Sequence, residues 1–375
     1  MTLQAILADL ARYEGPEIRI MEVCGTHTAA IMQGGLRSLL PKGITLISGP
    51  GCPVCITPGA YIDRAVDLAF QPNHRVYAFG DMLKVRGTKS SLADAKAEGA
   101  DIRFIYAPLE LLAQAQREPD ILHVFAAVGF ETTAPVYAMM VKKAREQGIR
   151  NLKLLTAIRT VPPALELILS TGEPIDAFIA PGHVSAVIGS DAYRALSGRY
   201  AKPFTVAGFT PEHILLAIWQ LVREVVALRA SPHVADAFNP QATDGTADLT
   251  PSASDASHVA NLYPGVVRHE GNPKALALLE EVFVPGDSAW RGIGMIPDSG
   301  LFLRPAYADW DAGSRGLDAD PPANAACRCT DVILGRIHPT DCPMFGTACT
   351  PSDAQGPCMV SAEGACGIWF RFQGA

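Results

Sequence analysis

Short runs of apolar residues alternate with stretches of helical periodicity over the first 230 residues of the chain. The stretches between the runs, such as 134–148 and 211–229, carry apolar residues at helical spacing. Most of the runs are nearly continuous in apolar residues, which is typical of parallel strands covered on both faces. Repeated βα units predict an α/β fold with parallel sheets and right-handed crossovers. The predicted strands are 18–23, 44–48, 75–79, 102–107, 122–128, 152–158, 177–180 and 204–207.

The order of the βα units predicts two similar α/β domains that face a cleft. We expect these domains at 17–119 and 120–230, with the boundary near Pro119, because both halves run from strand to motif to helix with similar lengths. One large sheet of eight strands is the alternative. From 231 to 375 the chain is irregular and ends in a cysteine-rich tail, so we expect a third domain there, packed with an amphipathic helix at 1–16.

Composition and charge restrict the class of protein. The chain has 375 residues, of which 49% are hydrophobic and 18% charged, and this excludes a disordered polyelectrolyte. The net charge of −7 leaves no global basic field to bind nucleic acid or an anionic membrane. No apolar run reaches the roughly 20 residues that cross a bilayer, and the first residues lack a basic leader, so we expect a cytoplasmic protein. The Ser-, Thr- and Asp-rich stretch 239–257 is interpreted as a surface insertion or linker.

The loops that follow the predicted strands carry the candidate chemistry. In open α/β sheets, ligands bind beyond the carboxyl ends of the strands, so we expect these loops to form the cleft. Each loop taken alone is equally compatible with a simple turn. Glu131 and His183 are candidates for proton transfer across the cleft, or for structural hydrogen bonds. The loops are CGTH (24–27), GPGCPVC (49–55), GDML (80–83), GFETT (129–133), PGHV (181–184) and GFTP (208–211).

The nine cysteines form two groups that are far apart in the sequence. An odd number of cysteines without a secretion signal argues against a structural disulfide framework. Two sites with thiolate chemistry, one near each end, explain the distribution better. The first group is Cys24, Cys52 and Cys55, and the second is Cys327, Cys329, Cys342, Cys349, Cys358 and Cys366.

The six tail cysteines predict a [4Fe–4S] cluster. Cys342 and Cys349 are isolated in Gly- and Pro-rich loops, whereas the paired C-x₂-C knuckles of a zinc ribbon are absent. Zinc and plain thiols remain alternatives. Four ligands leave two cysteines spare, and we interpret these as a redox pair beside the cluster. Glu363 lies between two tail cysteines and is a candidate proton donor or structural hydrogen bonder.

The first group of cysteines combines two short motifs. Cys52 and Cys55 form a C-x-x-C motif at a strand end, which is typical of a redox dithiol or of half a metal site. Cys24 and His27 form a C-x-x-H motif, which could supply a nucleophile, a soft-metal ligand or only a buried cysteine. If the first two strands are neighbours, Cys24, Cys52 and Cys55 open into one cleft.

In combination, these motifs resemble those of the HypD family of [NiFe]-hydrogenase maturation factors. They follow the family order over nearly the whole chain, and the insertion at 239–257 touches none of them. The matching segments are MEVCGTHT (21–28), GPGCPVC (49–55), GDMLKVRG (80–87), GFETTAP (129–135), PGHVSAVIG (181–189), EGNPKAL (270–276) and the cysteine-rich tail (327–367).

The resemblance implies two similar α/β domains and a C-terminal domain that holds a [4Fe–4S] cluster. It also implies a role in building the Fe(CN)₂CO group of the hydrogenase active site. In the family, HypD pairs with the small chaperone HypC, receives cyanide from HypE, and passes the iron group towards the hydrogenase large subunit.

The same resemblance implies roles for the cysteines of the first group. Cys24 would ligate the iron being decorated, with His27 beside it, and Cys52 and Cys55 would form the dithiol of the cleft. Thiolate sulfur is a soft ligand and suits low-spin iron that carries strong-field ligands.

In the tail, Cys329 and Cys358 would form a thiol pair near the cluster. Cys327 and Cys329 are interchangeable on spacing alone. Removing cyanide from a thiocyanate-type carrier is reductive, so electrons would pass from the cluster through the thiol pair to Cys52 and Cys55. The alternatives are an iron–sulfur-dependent thiol–disulfide reductase and a zinc-stabilised interaction protein. The preferred cluster ligands are Cys327, Cys342, Cys349 and Cys366.

Overall fold

The computed structural model describes residues 2–230, 257–320 and 326–372. All but the last residue of the stretch 239–257 therefore lies outside the described residues. The strands are Ile18–Glu22 (β1), Ile44–Ser48 (β2), His74–Ala78 (β3), Ile102–Phe104 (β4), Leu122–Gly129 (β5), Leu152–Arg159 (β6), Ala177–Pro181 (β7), Phe204–Ala207 (β8), Val259–Asn261 (β9), Phe283–Trp290 (β10) and Gly294–Leu303 (β11).

Helices connect these strands, and three short ones lie in the tail. The helices are Leu3–Leu10 (α1), Gly25–Gln33 (α2), Leu36–Leu39 (α3), Gly59–Ala69 (α4), Leu92–Ala97 (α5), Glu110–Arg117 (α6), Ala134–Glu146 (α7), Val161–Ser170 (α8), Gly182–Ile188 (α9), Arg194–Tyr200 (α10), Pro211–Ala230 (α11), Pro273–Val282 (α12), Cys329–Ile333 (α13), Pro357–Val360 (α14) and Ala365–Arg371 (α15). Short 3₁₀ turns span Gly80–Lys84, Ser190–Tyr193, Pro305–Trp310 and Pro339–Asp341. Among the helices that the structure describes, none has the length and apolar character needed to span a membrane.

The strands form two sheets that are mostly parallel. The first has five strands in the order β2-β1-β7-β8-β9, and all its neighbours run parallel. The second has six strands in the order β10-β11-β6-β5-β3-β4, where β10 and β11 form an antiparallel edge on a parallel core. The predicted α/β class with parallel sheets is confirmed.

The eight strands predicted from apolar runs are all present, with small shifts at their ends. Their burial fits the argument from sequence: every residue of β7 and β8 is buried, and so is every residue of β5 after the first. The fourth strand is the least accurate prediction, because only Ile102–Phe104 of the run 102–107 pairs with a neighbour.

The boundary expected near Pro119 is wrong as a division between the sheets. Strands β3 and β4 precede it and β5 and β6 follow it, yet all four lie side by side in the second sheet. The chain leaves the first sheet after β2 and returns to it with β7, where Ile20 pairs with Ala177. The units expected at 17–119 and 120–230 therefore interleave.

The region 231–375 is also less separate than expected. Its strand β9 extends the first sheet, and its hairpin β10–β11 extends the second through the pair Leu301 and Ile158. The irregular part of this region is the segment from residue 326 onwards. The helix expected at 1–16 is α1, and it packs on α11, where the Trp219 indole N–H donates to Asp9 Oδ2 at 2.6 Å.

Candidate functional site

The carboxyl edge of the first sheet gathers residues from distant parts of the sequence. Because β1, β2, β7 and β8 are parallel neighbours, the loops that follow them meet at this edge. These loops contain Cys24, the Cys52–Cys55 pair, His183 and Phe209. His183 therefore approaches the first cysteine motif within one sheet, rather than across a cleft from a second domain.

Cys24 begins helix α2 as its N-cap residue, in an extended conformation. Its Sγ lies 3.5 Å from Nε2 of His183, and only 3% of the residue is exposed. Burial raises the pKa of Cys24 to about 12, although the backbone N–H of His27 favours the thiolate. Burial therefore favours the neutral thiol form of this sulfur.

The imidazole in contact with the Cys24 sulfur is that of His183, not that of His27. His27 is fully buried, and its Nε2 lies 3.0 Å from the carbonyl oxygen of Gly208. Burial lowers the pKa of His27 to about 4 and also lowers that of His183. Phe209 lies between the two rings, at centroid distances of 4.8 and 4.9 Å. Both imidazoles are thus neutral and held by one aromatic side chain.

Glu22 is a buried acid beside Cys24 that the sequence reasoning missed. It is 1% exposed, accepts a hydrogen bond from the Thr28 hydroxyl, and accepts the Cys24 backbone N–H at 3.1 Å. Burial raises its pKa to about 7. The available signal was an acidic residue at the carboxyl end of a strand, two residues before Cys24, because ligands bind at this end of the strands in α/β sheets.

Cys52 and Cys55 are joined in a disulfide at the end of β2. They are 5% and 1% exposed, so the first group of cysteines is buried rather than open to a cleft as expected. The turn approaches Cys24 closely, because a Cβ atom on Gly51 would lie 2.5 Å from the Cys24 Cα. Glycine is required here to bring the two motifs together.

The tail brings five cysteines to one small cavity. Among the described residues, no three His, Cys, Asp or Glu side chains meet at a point that could hold a single metal ion. Thiolates are the ligands of iron–sulfur clusters, so the donor set fits a cluster by its chemistry. Cys329 lies here together with the four expected ligands, giving one thiol more than a four-ligand cluster needs. The cysteines of the cavity are Cys327, Cys329, Cys342, Cys349 and Cys366.

Cys358 lies between the tail cavity and the Cys52–Cys55 disulfide. Its thiol is within hydrogen-bonding reach of Cys329 and Cys366; these two contacts and burial raise its pKa. Cys358 also borders a second small cavity together with Cys52 and Cys55. The carbonyl oxygen of Pro357, one residue earlier, lies 3.7 Å from Cys55 Sγ. Sulfur atoms thus follow one another from the tail to the first group.

The two remaining acids occupy different places. Glu363 packs against Gly25, one residue from Cys24, and is exposed at the edge of the cavity shared by Cys52 and Cys55. Desolvation and the nearby carboxylate of Asp81 raise its pKa. Glu131 follows β5 in the second sheet and is 3% exposed.

The two carboxylate oxygens of Glu131 differ in their hydrogen bonding. Oε1 accepts the backbone N–H of Val161 at 2.8 Å, while Oε2 has no hydrogen-bond partner within the described ranges. Burial raises the pKa of Glu131 to about 7.

Comparison with known proteins agrees with this arrangement of motifs. The HypD family model, described as "Hydrogenase formation hypA family", matches residues 2–239 and 247–373. Hydrogenase maturation factor HypD of Escherichia coli is 39% identical over 364 residues, which cover 95% of this chain and 89% of that protein. The HypD of Azotobacter vinelandii is 39% identical over 383 residues, covering 99% and 94%. That of Rhizobium leguminosarum is 40% identical over 378 residues, covering 98% and 90%. The chain therefore belongs to the HypD family of hydrogenase maturation factors.

Proposed function

We propose that this protein is the redox-active scaffold on which the Fe(CN)₂CO group of the [NiFe] active site is assembled. It works in the cytoplasm with a HypC-type chaperone, accepts cyanide from a HypE-type donor, and passes the iron group towards the hydrogenase large subunit. The observation that carries the proposal is the succession of sulfur atoms from the tail cavity through Cys358 to the Cys52–Cys55 disulfide. The turn that holds this disulfide approaches Cys24 closely at Gly51.

In this proposal Cys24 holds the iron that is the cargo. A soft thiolate is a suitable ligand for low-spin iron. When the iron approaches, the proton on Cys24 Sγ moves to Nε2 of His183, which is neutral and lies 3.5 Å away. His183 is only partly buried and is the more exposed of the two imidazoles, so it can pass this proton on to solvent.

The Cys52–Cys55 pair supplies the electrons for cyanide transfer. One thiocyanate-type carrier and two cysteine thiols give the free carrier thiol, the Cys52–Cys55 disulfide and one cyanide with its proton. The two electrons come from the two cysteines as they become the disulfide. The Cys52–Cys55 disulfide supports the assignment of these two cysteines as the redox pair.

The tail restores the dithiol. The thiolate of Cys358 attacks one sulfur of the Cys52–Cys55 disulfide, and Cys329 then attacks the mixed disulfide, so that two thiols are returned and a Cys329–Cys358 disulfide forms. The contact between Cys358 and Cys329 supports this pairing. Cys327, Cys342, Cys349 and Cys366 would hold a [4Fe–4S] cluster, which supplies single electrons when it is bound.

The test is the Cys24→Ala variant, purified anaerobically with its chaperone partner. We expect the infrared bands of iron-bound cyanide and carbon monoxide to disappear, while the Gln33→Ala variant, an exposed change at the end of α2, keeps them. Bands that persist unchanged in Cys24→Ala would refute the assignment of Cys24 as the iron ligand.

A second candidate function is an iron–sulfur-dependent thiol–disulfide reductase that acts on another protein. It is favoured by the disulfide that borders a third cysteine, Cys358. A reductase needs only Cys52 and Cys55, so Cys24→Ala would keep full hydrogenase maturation under this hypothesis and lose it under the scaffold hypothesis. Optical and EPR spectra of the anaerobic protein test both redox functions, because a colourless protein with stoichiometric zinc would exclude them.

A further inference from the structure

The carboxylate of Asp81, in the turn after β3, binds the cysteine-bearing tail. Asp81 Oδ2 accepts a hydrogen bond from the Ser361 hydroxyl at 3.0 Å and another from the Ala362 backbone N–H at 2.8 Å. Asp81 lies in the GDMLKVRG motif, which has no role in the iron site or in the disulfide chemistry described above. Because β3 belongs to the second sheet, this contact ties that sheet to the tail.

The residues held by Asp81 belong to the same tight turn as Cys358. The backbone N–H of Ser361 donates to Pro357 at 3.3 Å, and that of Gly364 donates to Ser361 at 3.1 Å. Gly364 packs directly against the carbonyl group of Cys358. A fixed Ser361 therefore fixes the turn, and with it the position of Cys358.

This turn faces the disulfide. Cys358, Cys52 and Cys55 border one small cavity, and the Pro357 carbonyl oxygen lies 3.7 Å from Cys55 Sγ. Thiol–disulfide exchange requires the attacking sulfur to approach the disulfide in a defined direction. Pre-positioned groups can gain several orders of magnitude in rate over free ones.

We propose that Asp81 is a positioning residue that clamps the turn 357–364 against the Cys52–Cys55 disulfide and so sets the rate of exchange with Cys358. The inference rests on the proposed function, and it deepens that function by naming a residue that controls electron delivery. In the exchange, the Cys358 thiolate forms a bond to one sulfur of the disulfide, the Cys52–Cys55 bond breaks, and the released thiolate takes up a proton. No external oxidant or reductant is needed.

The test uses purified full-length protein with the Cys52→Ser change, which leaves Cys55 free. Diamide accepts two electrons and two protons from the thiols of Cys55 and Cys358, and mass spectrometry of peptides measures the disulfide formed between them. We expect Asp81→Ala to slow this reaction at least about tenfold. Asp81→Asn should restore it, because the amide oxygen can accept the same two hydrogen bonds.

A matched control is Asp63→Ala. The Asp63 carboxylate accepts two hydrogen bonds from Thr88, next to the same motif, and none from the tail residues that the structure describes. This variant should cross-link at the rate of the parent. Hydrogen exchange gives a second measurement, since the Ala362 amide should lose protection in Asp81→Ala and keep it in Asp81→Asn.

The outcomes separate the clamp from the proposed function. Equal cross-linking rates with and without Asp81→Ala would overturn the clamp and leave the exchange standing. Absence of the cross-link in every protein would overturn the exchange and the clamp together. Slow cross-linking in Asp81→Asn as well as in Asp81→Ala, with an intact Ala362 amide, would also overturn the clamp.

Discussion

Glu22 ends β1, Cys24 is the N-cap residue of α2 and His27 lies in the first turn of that helix. Burial shifts the pKa of each towards its neutral form. The pKa of Glu22 rises to about 7 and that of Cys24 to about 12, whereas the pKa of His27 falls to about 4. A site of neutral groups does not attract ions by charge. Under the proposed function, the charge of the iron cargo would create the Cys24 thiolate, so pH alone is a weak way to activate Cys24.

Glu131 should make the stability of the protein depend on pH. Its folded pKa of about 7 lies above the ordinary 4.5, so the folded protein binds more protons than the unfolded chain between these values. The favourable contribution is complete below pH 4.5 and is lost as the pH rises through 7. The loss amounts to about 3 kcal/mol for a shift of this size.

Urea unfolding of the wild type and of Glu131→Gln between pH 5 and pH 8 measures this effect. We expect the free energy of unfolding of the wild type to fall more steeply with rising pH than that of the variant, because Gln cannot ionise. Parallel curves would show that Glu131 titrates normally in the folded protein.

His183 should shield the Cys24 sulfur from reagents. The ring contacts Sγ at 3.5 Å and is held by Phe209, while Cys24 itself is 3% exposed. We expect His183→Ala to increase the rate of Cys24 alkylation by iodoacetamide about tenfold, since the lost ring leaves a space that the reagent can enter. Mass spectrometry of the Cys24 peptide measures the rate, and His269→Ala, at an exposed histidine, is the control. A rate that stays unchanged in His183→Ala would place the route to Cys24 elsewhere.

At the scale of the elements, close backbone approaches hold the loops of the first sheet together. The turn after β2 touches the start of α2 because Gly51 has no side chain, and a Cβ there would lie 2.5 Å from the Cα and N atoms of Cys24. Neither atom can move without moving the strand end or the helix that follows it. The register of β1 on β2, with Glu22 opposite Ser48, directs both loops to this point.

Gly51→Ala should therefore destabilise the protein by about 2 kcal/mol, the usual cost of overpacking at a rigid contact. Gly80→Ala is the matched control, because a Cβ at Gly80 meets no atom within 4 Å. Chemical denaturation of both variants measures the difference. Equal midpoints would mean that the loop after β2 can shift freely away from Cys24.

The sequence predicted the strands and the loops that carry the chemistry, since a buried parallel strand is marked by an apolar run of its own residues. It did not predict the hairpin β10–β11, because Pro285, Gly286 and Gly300 interrupt its apolar pattern and a β-bulge shifts its register. Nor did it predict that His183 contacts Cys24. That contact depends on β7 pairing with β1, and strand pairing is set by packing between distant segments rather than by local composition.

At the scale of the whole molecule, the order in which the strands of the two sheets follow one another along the chain has consequences for folding. Along the chain, β1 and β2 of the first sheet come first, and the parallel strands β3 to β6 of the second sheet follow. Strands β7, β8 and β9 then complete the first sheet. The tail then lies against both, through Asp81 beyond β3 and through Gly25 beyond β1. The sulfur atoms therefore come together only when all parts of the chain are in place.

A cut at the boundary that the sequence suggested, between residues 119 and 120, should give an N-terminal fragment that does not fold alone. The fragment 1–119 keeps only the pairs β1–β2 and β3–β4, and isolated pairs of strands are marginal in water. It also exposes the apolar edges that β5 and β7 cover in the intact protein. We expect the fragment 1–119 alone to show no cooperative thermal transition by circular dichroism, whereas co-expressed fragments should associate and unfold in one transition. A cooperative transition in the fragment 1–119 alone would show that its strands form a stable unit without β5 and β7, and that the interleaved order is not required for folding.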